Sequence, residues 1–395
     1  MKSKLQQLYT RLCACAVFRD VLETPVVSAF GGYCFAMDEE PFEKLNAYGG
    51  FVAEIYKRGG NLTTLVQNLL FADENVYVKA VARGETVNAH ILAAAERELK
   101  TFAEFASLTA DDFNADMGTP SLEIPTFESF NADMVAIYKE RLQNIQKYGY
   151  GIFSSQGMFR LSDEKEIEPI VSADKIGMDR FIGYENERAR VVENTQAFVE
   201  GRPAANVLLC GDAGTGKSST VKAVANAFFD KGVRLIELRK DQLSLLPSVM
   251  AKISGNPLKF IIFIDDLSFN RSDDNFSMLK AALEGSASAK AENAVIYATS
   301  NRRHIIKESF GDREGDDVHR NDTLQETLSL SERFGLVVLF SKPNKQLYLE
   351  IVKTLAAKRG VVMDEKQLEI DAEAFALRKG TRSARCAEQF INSLL

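Results

Sequence analysis

The sequence predicts an α/β protein. A parallel sheet covered by helices on both faces fills the C-terminal half, behind a mostly helical N-terminal half and ahead of an all-helical end. Three observations carry this. From residue 178 onward, runs rich in Val, Ile, Leu or Phe alternate with helical stretches. Near-continuous apolar strands interleaved with helices are the mark of a parallel sheet buried on both sides. Before residue 150, apolar residues recur at three-and-four spacing, the period of an amphipathic helix. From Asn344 to the end no strand candidate remains.

Taken in order, residues 1–150 read as a mostly helical domain with a regulatory or interaction role. PFEKLNAYGGFVAEIYKRGG and NAHILAAAERELKTFAEFASL carry the helical period, Gly59 and Gly60 stop a helix, and Asn61 caps the next one, LTTLVQNLLF. Residues 109–127, with two prolines, a glycine and many small polar residues, predict a loop before the helix ADMVAIYKERLQNIQKYG. YGYGIFSS and GMFRL read as short extended pieces, and the acidic DEKEIEP belongs to a linker spanning 151–177. Between 178 and 343 the expected strands are NVLLCGD, VRLIEL, KFIIFIDD, AVIYATSN and GLVVLFSK, with helices between them. Residues 344–395 form a small helical bundle.

Composition bounds the function. The 395 residues are 46% hydrophobic and 26% charged, ordinary for a water-soluble chain of two or three domains. No run approaches the eighteen apolar residues of a membrane-spanning helix, so no membrane partner is expected. The apolar run Leu12–Phe18 ends at Arg19 and Asp20, where a signal peptide needs a small-residue cleavage site. An amphipathic first helix and a cytoplasmic location follow. Five scattered cysteines and three histidines give no metal-site spacing, and idle thiols are the expected reading. Charge is uneven: residues 1–170 hold 16 Lys+Arg against 24 Asp+Glu, the remainder 32 against 31. Phosphate backbones repel so acidic an N-terminal half.

The strongest motif is Gly211-Asp212-Ala213-Gly214-Thr215-Gly216-Lys217-Ser218, a full match to G-x-x-x-x-G-K-S/T, entered by an apolar strand and left by a helix. Its glycines let backbone amides converge on phosphate oxygens, and the helix N-terminus adds partial positive charge. Lys217 is expected to reach the β- and γ-phosphates of ATP, with Ser218 contributing an oxygen to Mg²⁺ and Ser219 continuing the nucleotide contacts. One strand-helix unit later, Phe260-Ile261-Ile262-Phe263-Ile264 ends in Asp265 and Asp266, the Walker B arrangement. Asp265 is assigned to Mg²⁺, partly through water, and Asp266 to orienting or deprotonating the attacking water. Two acidic residues can merely end a strand, but not commonly at this distance from a phosphate loop. Many enzymes of this type place Glu at the second position, and the shorter Asp implies slow hydrolysis.

The tip of the next strand, Thr299-Ser300-Asn301, offers Asn301 as the sensor of the attacking water or γ-phosphate, against a plain polar strand terminus. Arg333, just ahead of the fifth strand, suits an arginine finger reaching a neighbouring subunit, against a surface salt bridge. In Gly380-Thr381-Arg382-Ser383-Ala384-Arg385, Arg385 is the first choice for an arginine that folds onto the nucleotide and Arg382 the second.

In order and spacing these five elements resemble the AAA+ ATPases over residues 178–395. The wording looks closer still to a bacterial family catalogued as domain of unknown function 815. That likeness rests on Phe181-Ile182-Gly183-Tyr184-Glu185, Asp265-Asp266-Leu267-Ser268-Phe269, Tyr297-Ala298-Thr299-Ser300-Asn301-Arg302-Arg303-His304 and Leu328–Gly335. The resemblance implies a P-loop three-layer sandwich with a five-stranded parallel sheet in the order 5-1-4-3-2 and a helical lid. It also implies homo-oligomers with sites shared between subunits, and contacts of Ile182 and Gly183 with the adenine base.

Two functions compete: an ATPase motor or switch acting on an unidentified macromolecular partner, and a non-hydrolysing adaptor whose assembly is gated by ATP or ADP. The stretch Arg239–Leu246 lacks the aromatic and glycine of a protein-threading pore loop. Arg239-Lys240 and Arg302-Arg303 raise a DNA-loader reading, the less favoured one, because such pairs are more often solvated surface or internal salt bridges.

Overall fold

A computed structural model describes residues 3–36, 41–118, 123–171, 176–267, 279, 283, 292–301 and 333–395, in two compact units, Met1–Ser155 and Gln156–Leu395. The first unit is helical: α1 (Lys4–Cys13), α2 (Pro25–Phe35), α3 (Pro41–Tyr56), α4 (Leu62–Ala72), α5 (Val76–Ala82), α6 (Ala89–Ala106), α7 (Ala110–Met117), α8 (Met134–Gln143) and α9 (Ile145–Tyr148). Helix starts follow from side-chain chemistry. Ser3 and Gln6 form a capping box at α1, and Asn61 and Asn75 each accept the amide of the third helical residue of α4 and α5. Aromatic rings fill the core, with Phe30 and Phe105 centroids 5.0 Å apart and Phe113 5.2 Å from Phe51.

Acidic side chains are buried inside this unit, Asp73 and Glu98 among them. Glu98, 3% exposed, accepts the amides of Ala16, Val17 and Phe18 at 2.9–3.0 Å. Three donors on one carboxylate replace the water it lost and fix the turn that follows α1.

Three expectations for this half are corrected. Residues 110–117, expected in a loop, form α7: Thr109 and Asp112 make a capping box, Gly118 ends the helix at φ +66°, and Phe113 enters the core. That local chemistry outweighs the prolines and small polar residues around it. The helix expected from 132 onward breaks at Asn144 (φ −115°) into α8 and α9. Residues 151–154, expected to be extended, form a 3₁₀ turn.

The second unit carries β1 (Met158–Leu161), β2 (Ile167–Pro169), α10 (Glu185–Val199), β3 (Val207–Gly211), α11 (Lys217–Ala227), β4 (Val233–Leu238), α12 (Leu246–Ile253), β5 (Lys259–Ile264), β6 (Ala294–Ser300) and β7 (Leu336–Phe340). The helices α13 (Lys345–Lys358), α14 (Glu365–Lys379) and α15 (Ala384–Asn392) close the chain. Val207 and Leu209 cluster with Val221 and Val224 of α11 and with Ile261, Phe263 and Tyr297. The alternate Leu208, Ile262 and Ile296 are also buried, so both faces of the central strands are covered, as their unbroken apolar runs require.

The sheet differs from the expected five strands in count, and its order is extended by two strands beyond β4, while β7-β3-β6-β5-β4 run in the expected succession 5-1-4-3-2. It has seven, β2-β1-β4-β5-β6-β3-β7, all parallel except the β1–β2 pair. The difference lies in the hairpin 158–169, expected partly as linker. Its β1 adds in parallel to the edge of β4 (Phe159 opposite Ile236), and the acidic residues form its turn and return strand. Helices α13–α15 pack on Tyr348, Ile351, Val352, Leu368, Ala372 and Phe390.

Candidate functional site

The phosphate-loop motif leaves β3 at the carboxyl end of the parallel strands, where α/β sheets place ligands. Gly211 has φ +133°, and a Cβ there would collide with the carbonyl oxygen of Phe340 on β7. Only glycine lets the two strands run so close. Asp212 ties the loop further: its amide donates to Phe340 O at 3.1 Å and its Oδ2 accepts the Lys342 amide at 2.8 Å. Gly214 and Gly216 take φ +75° and +89°, bending the chain past Ala213 and Thr215 into α11. Thr215 Oγ1 closes the turn on Asp212 O at 2.9 Å.

Lys217, 5% exposed, donates from Nζ to Gly211 O at 3.0 Å, Asp212 O at 2.7 Å and Asn301 Oδ1 at 3.1 Å. Burial lowers its pKa from the usual lysine value, and Asp212, Asp265 and Asp266 act against that.

Sheet register delivers the other groups. Pairing of Ile264 with Ala298 sets Asp265 beside Thr299, and pairing of Cys210 with Ser300 sets Asn301 beside the loop. Asp265 Oδ1 accepts Ser218 Oγ at 2.6 Å, Thr299 Oγ1 at 2.5 Å and the Asp266 amide at 3.1 Å. Asn301 Nδ2 donates to Asp266 Oδ1 at 2.7 Å. Lys217, Ser218, Asp265, Asp266 and Asn301 thus form one hydrogen-bonded group. Asp266 sits at φ +50°, a region that short Asp tolerates better than longer side chains do. The backbone conformation gives a reason for Asp where Glu is more common.

A cavity of about 470 Å³ opens beside this group. Gly214, Thr215, Gly216 and Ser219 line one part, Phe181, Ile182 and Arg188 another, and Ile351, Leu355 and Arg385 of the helical bundle a third. Ile182 therefore reaches the cavity. Gly183, expected with Ile182 at the adenine base, is not among the residues lining it: it takes φ +71° at the entrance to α10, and a Cβ there would strike Leu347. The two candidate arginines at the start of the last helix separate cleanly. Arg385 faces the cavity, and its amide donates to Gly214 O at 3.4 Å. Arg382 is held in a fork by Glu373 at 2.7 and 3.0 Å.

Arg333 is not brought to this group. Leu336 pairs with Val207 and Phe340 with Gly211, which puts Arg333, ahead of β7, toward the end of the sheet opposite the phosphate loop. Arg239 pairs with Asp241 at 3.3 Å. Ser268, Phe269, Arg302, Arg303, His304 and residues 328–332 lie outside the described residues.

Sequence reasoning missed two contributors. Thr299 is 2% exposed and touches both acidic residues, through Asp265 Oδ1 and the Asp266 amide (3.0 Å). Its signal was a buried hydroxyl in the polar strand tip Thr299-Ser300-Asn301, from which Asn301 alone was singled out. Arg188 stands in the charged run ENERAR, which reads as a solvated face, yet it is 6% exposed.

A family model described as "Protein of unknown function (DUF815)" matches residues 155–395. No curated protein matches the chain. Among solved structures, the Thermotoga maritima RuvB Holliday junction branch migration motor is similar at 14% identity and TM-score 0.35, covering 55% of this chain and 72% of that one. Two variants of that protein give the same values.

Proposed function

From the premise that this chain belongs to the DUF815 family, we propose that its C-terminal unit is an AAA+ ATPase that binds Mg·ATP. The observation that carries this is the convergence of the Lys217 ammonium, the Ser218 hydroxyl, two carboxylates and the Asn301 amide at the mouth of a glycine-bent loop. Ser218 Oγ and Asp265 Oδ1 are hard oxygen donors lying together, the kind Mg²⁺ selects while keeping several waters. Bound Mg²⁺ supplies charge neutralisation between the phosphates.

The protein's own groups divide the remaining work. Lys217 exchanges its three oxygen partners for β- and γ-phosphate oxygens, losing nothing in hydrogen-bond number. The amides bent around Gly214 and Gly216, with Asp212, Ala213, Thr215 and Ser219, wrap the phosphates. Asn301, released from Lys217, orients water toward the γ-phosphate, and Asp266 holds or takes that water's proton. Arg385 follows the nucleotide from the lid, and Ile182 packs against the base. Arg333, remote from the site of its own chain, serves the site of a neighbouring copy in a homo-oligomer. The N-terminal helical unit recruits or regulates a protein partner, and residues 344–395 act as the lid.

Titration of ATP and Mg²⁺ into the full chain tests this. Lys217→Ala is expected to abolish binding. Arg333→Ala is expected to keep binding and to lose about 10³–10⁵ in turnover if the finger acts in trans. Absence of any heat with the native chain rejects the reading.

A second reading is a nucleotide-gated adaptor without hydrolysis. It is favoured by the short Asp266 side chain, engaged by Asn301 at 2.7 Å. Sustained Mg²⁺-dependent phosphate release from the assembled protein excludes it.

A further inference from the structure

One cation beside the phosphate loop has no part in the scheme above. Arg188 lies in the first turns of α10, with its side chain 7% exposed. Among the described residues its guanidinium makes no hydrogen bond, and its one ion pair is long, 3.8 Å to a Glu185 side chain that is itself 77% exposed. Other basic residues on the same cavity are better placed. Lys358 donates to Asp179 O at 3.0 Å, Arg359 to Glu388 at 2.9 Å, and Arg180 and Arg385 stand in water. Arg188 also sits near the positive end of its helix, where a cation is disfavoured. Burial accordingly lowers its pKa from the usual arginine value. A ring contact with Phe181 and a long pair with exposed Glu185 compensate this buried charge only in part, leaving its N–H edges for a ligand in the cavity.

The surroundings say which part of the ligand. The guanidinium lies over the Phe181 ring, 4.8 Å from its centre. The same ring comes within 3.8 Å of where a Cβ on Gly216 would stand. Phe181 is thus a platform one ring wide between Arg188 and the phosphate loop, and all three line the cavity with Ser219. Stacking on an aromatic leaves the N–H edge of a guanidinium free to fork onto phosphate oxygens.

We propose that Arg188 is a direct contact for the phosphate chain of a bound nucleoside di- or triphosphate, supplying a second cation beside Lys217. The proposal rests on the nucleotide reading above and adds to it a residue and the ligand group it takes.

Calorimetry with ATP and with inorganic tripolyphosphate, each with Mg²⁺, on native chain, Arg188→Met and Arg188→Lys tests it. A charge-assisted hydrogen bond of this kind corresponds to about a ten- to hundredfold loss of affinity in Arg188→Met, for both ligands alike. Arg188→Lys recovers part of it. Without ligand the melting temperature of Arg188→Met stays level or rises, because an apolar chain of similar length replaces a poorly paired buried charge. Should Arg188→Met not fold, Arg188→Gln carries the same comparison. Native-like affinity for both ligands in a folded neutral variant overturns the proposal. So does a loss confined to ATP, which moves Arg188 to the base or ribose. If the native chain binds neither ligand, the nucleotide reading itself has failed, an outcome distinct from those two.

Discussion

Replacing Thr299 by Val keeps the shape of the side chain and removes one hydroxyl. That hydroxyl donates to Asp265 Oδ1 at 2.5 Å and accepts the Asp266 amide at 3.0 Å. Hydrogen bonds to charged groups contribute about 1.5–3 kcal/mol net. Asp265 is exposed, so water can replace the lost donor, and the low end applies. The Asp266 amide keeps its second acceptor, Asp265 Oδ1 at 3.1 Å, and adds little to the loss. At 1.36 kcal/mol per decade, the expected loss in kcat of the proposed ATPase is about tenfold. Nucleotide affinity measured without Mg²⁺ should stay within about twofold, because Lys217 and the loop amides do not touch Thr299. Thr299→Ser, which restores the hydroxyl, should recover most of the turnover. The assay is phosphate release from the assembled protein under saturating ATP, with urea unfolding run in parallel. Native kcat in Thr299→Val refutes the positioning role. A fall equal in Thr299→Val and Thr299→Ser assigns the effect to packing instead.

Three more perturbations follow from the same geometry. Gly214→Ala forces a left-handed φ of +75° on alanine and sets a Cβ 3.0 Å from Ser383 Oγ; about 1–2 kcal/mol of strain should appear as lowered thermal stability and weaker ATP binding. Glu98→Ala strands the buried amides of Val17 and Phe18 in the N-terminal unit and frees the half-buried one of Ala16 to water; a loss of about 3 kcal/mol is expected in urea unfolding of the full chain. Asp73 is pushed up to about 6 by burial, from an ordinary 3.8, with Asn75 acting against the shift and Asp20, Lys79 and Glu74 the other charges around it. A raised folded-state pKa means the native state holds the proton more tightly, so its contribution is full below about pH 4 and is lost as pH rises through 6. Asp73→Asn should therefore raise the melting temperature at pH 8 relative to native chain and change it little near pH 4; the reverse order contradicts burial as the cause.

The loop was legible because a tight strand-to-helix turn of this kind fixes residue type and spacing together. A loop that turns amides inward needs Gly214 and Gly216, and a charge at its end needs Lys217, so the motif names its own geometry. The central strands were legible because burial on both faces leaves them almost wholly apolar. Of the hairpin 158–169, the extended character of MFRL was legible but its place in the sheet was not: β1 is four residues long, the return strand three, and the partner of β1, β4, lies some seventy positions on. α7 was missed because composition over nineteen residues was weighed above one capping box. The motif pairs Ile182 with Gly183, yet of the two Ile182 lines the cavity, a distinction of one residue made by the turn into α10. Thr299 and Arg188 escaped for a common reason. Each matters through a contact made across the fold, and the period of a strand or helix carries no trace of it.

The last helix begins on the bend of the phosphate loop itself, through the bond from the Arg385 amide to the Gly214 carbonyl. A peptide plane is stiff, so any tilt of α13–α15 against the sheet must either carry that carbonyl along or break the bond. Bundle attitude and loop curvature are therefore linked through one long backbone hydrogen bond of 3.4 Å, without any intervening side chain. An occupant that reshapes the bend is felt at the chain's end at once.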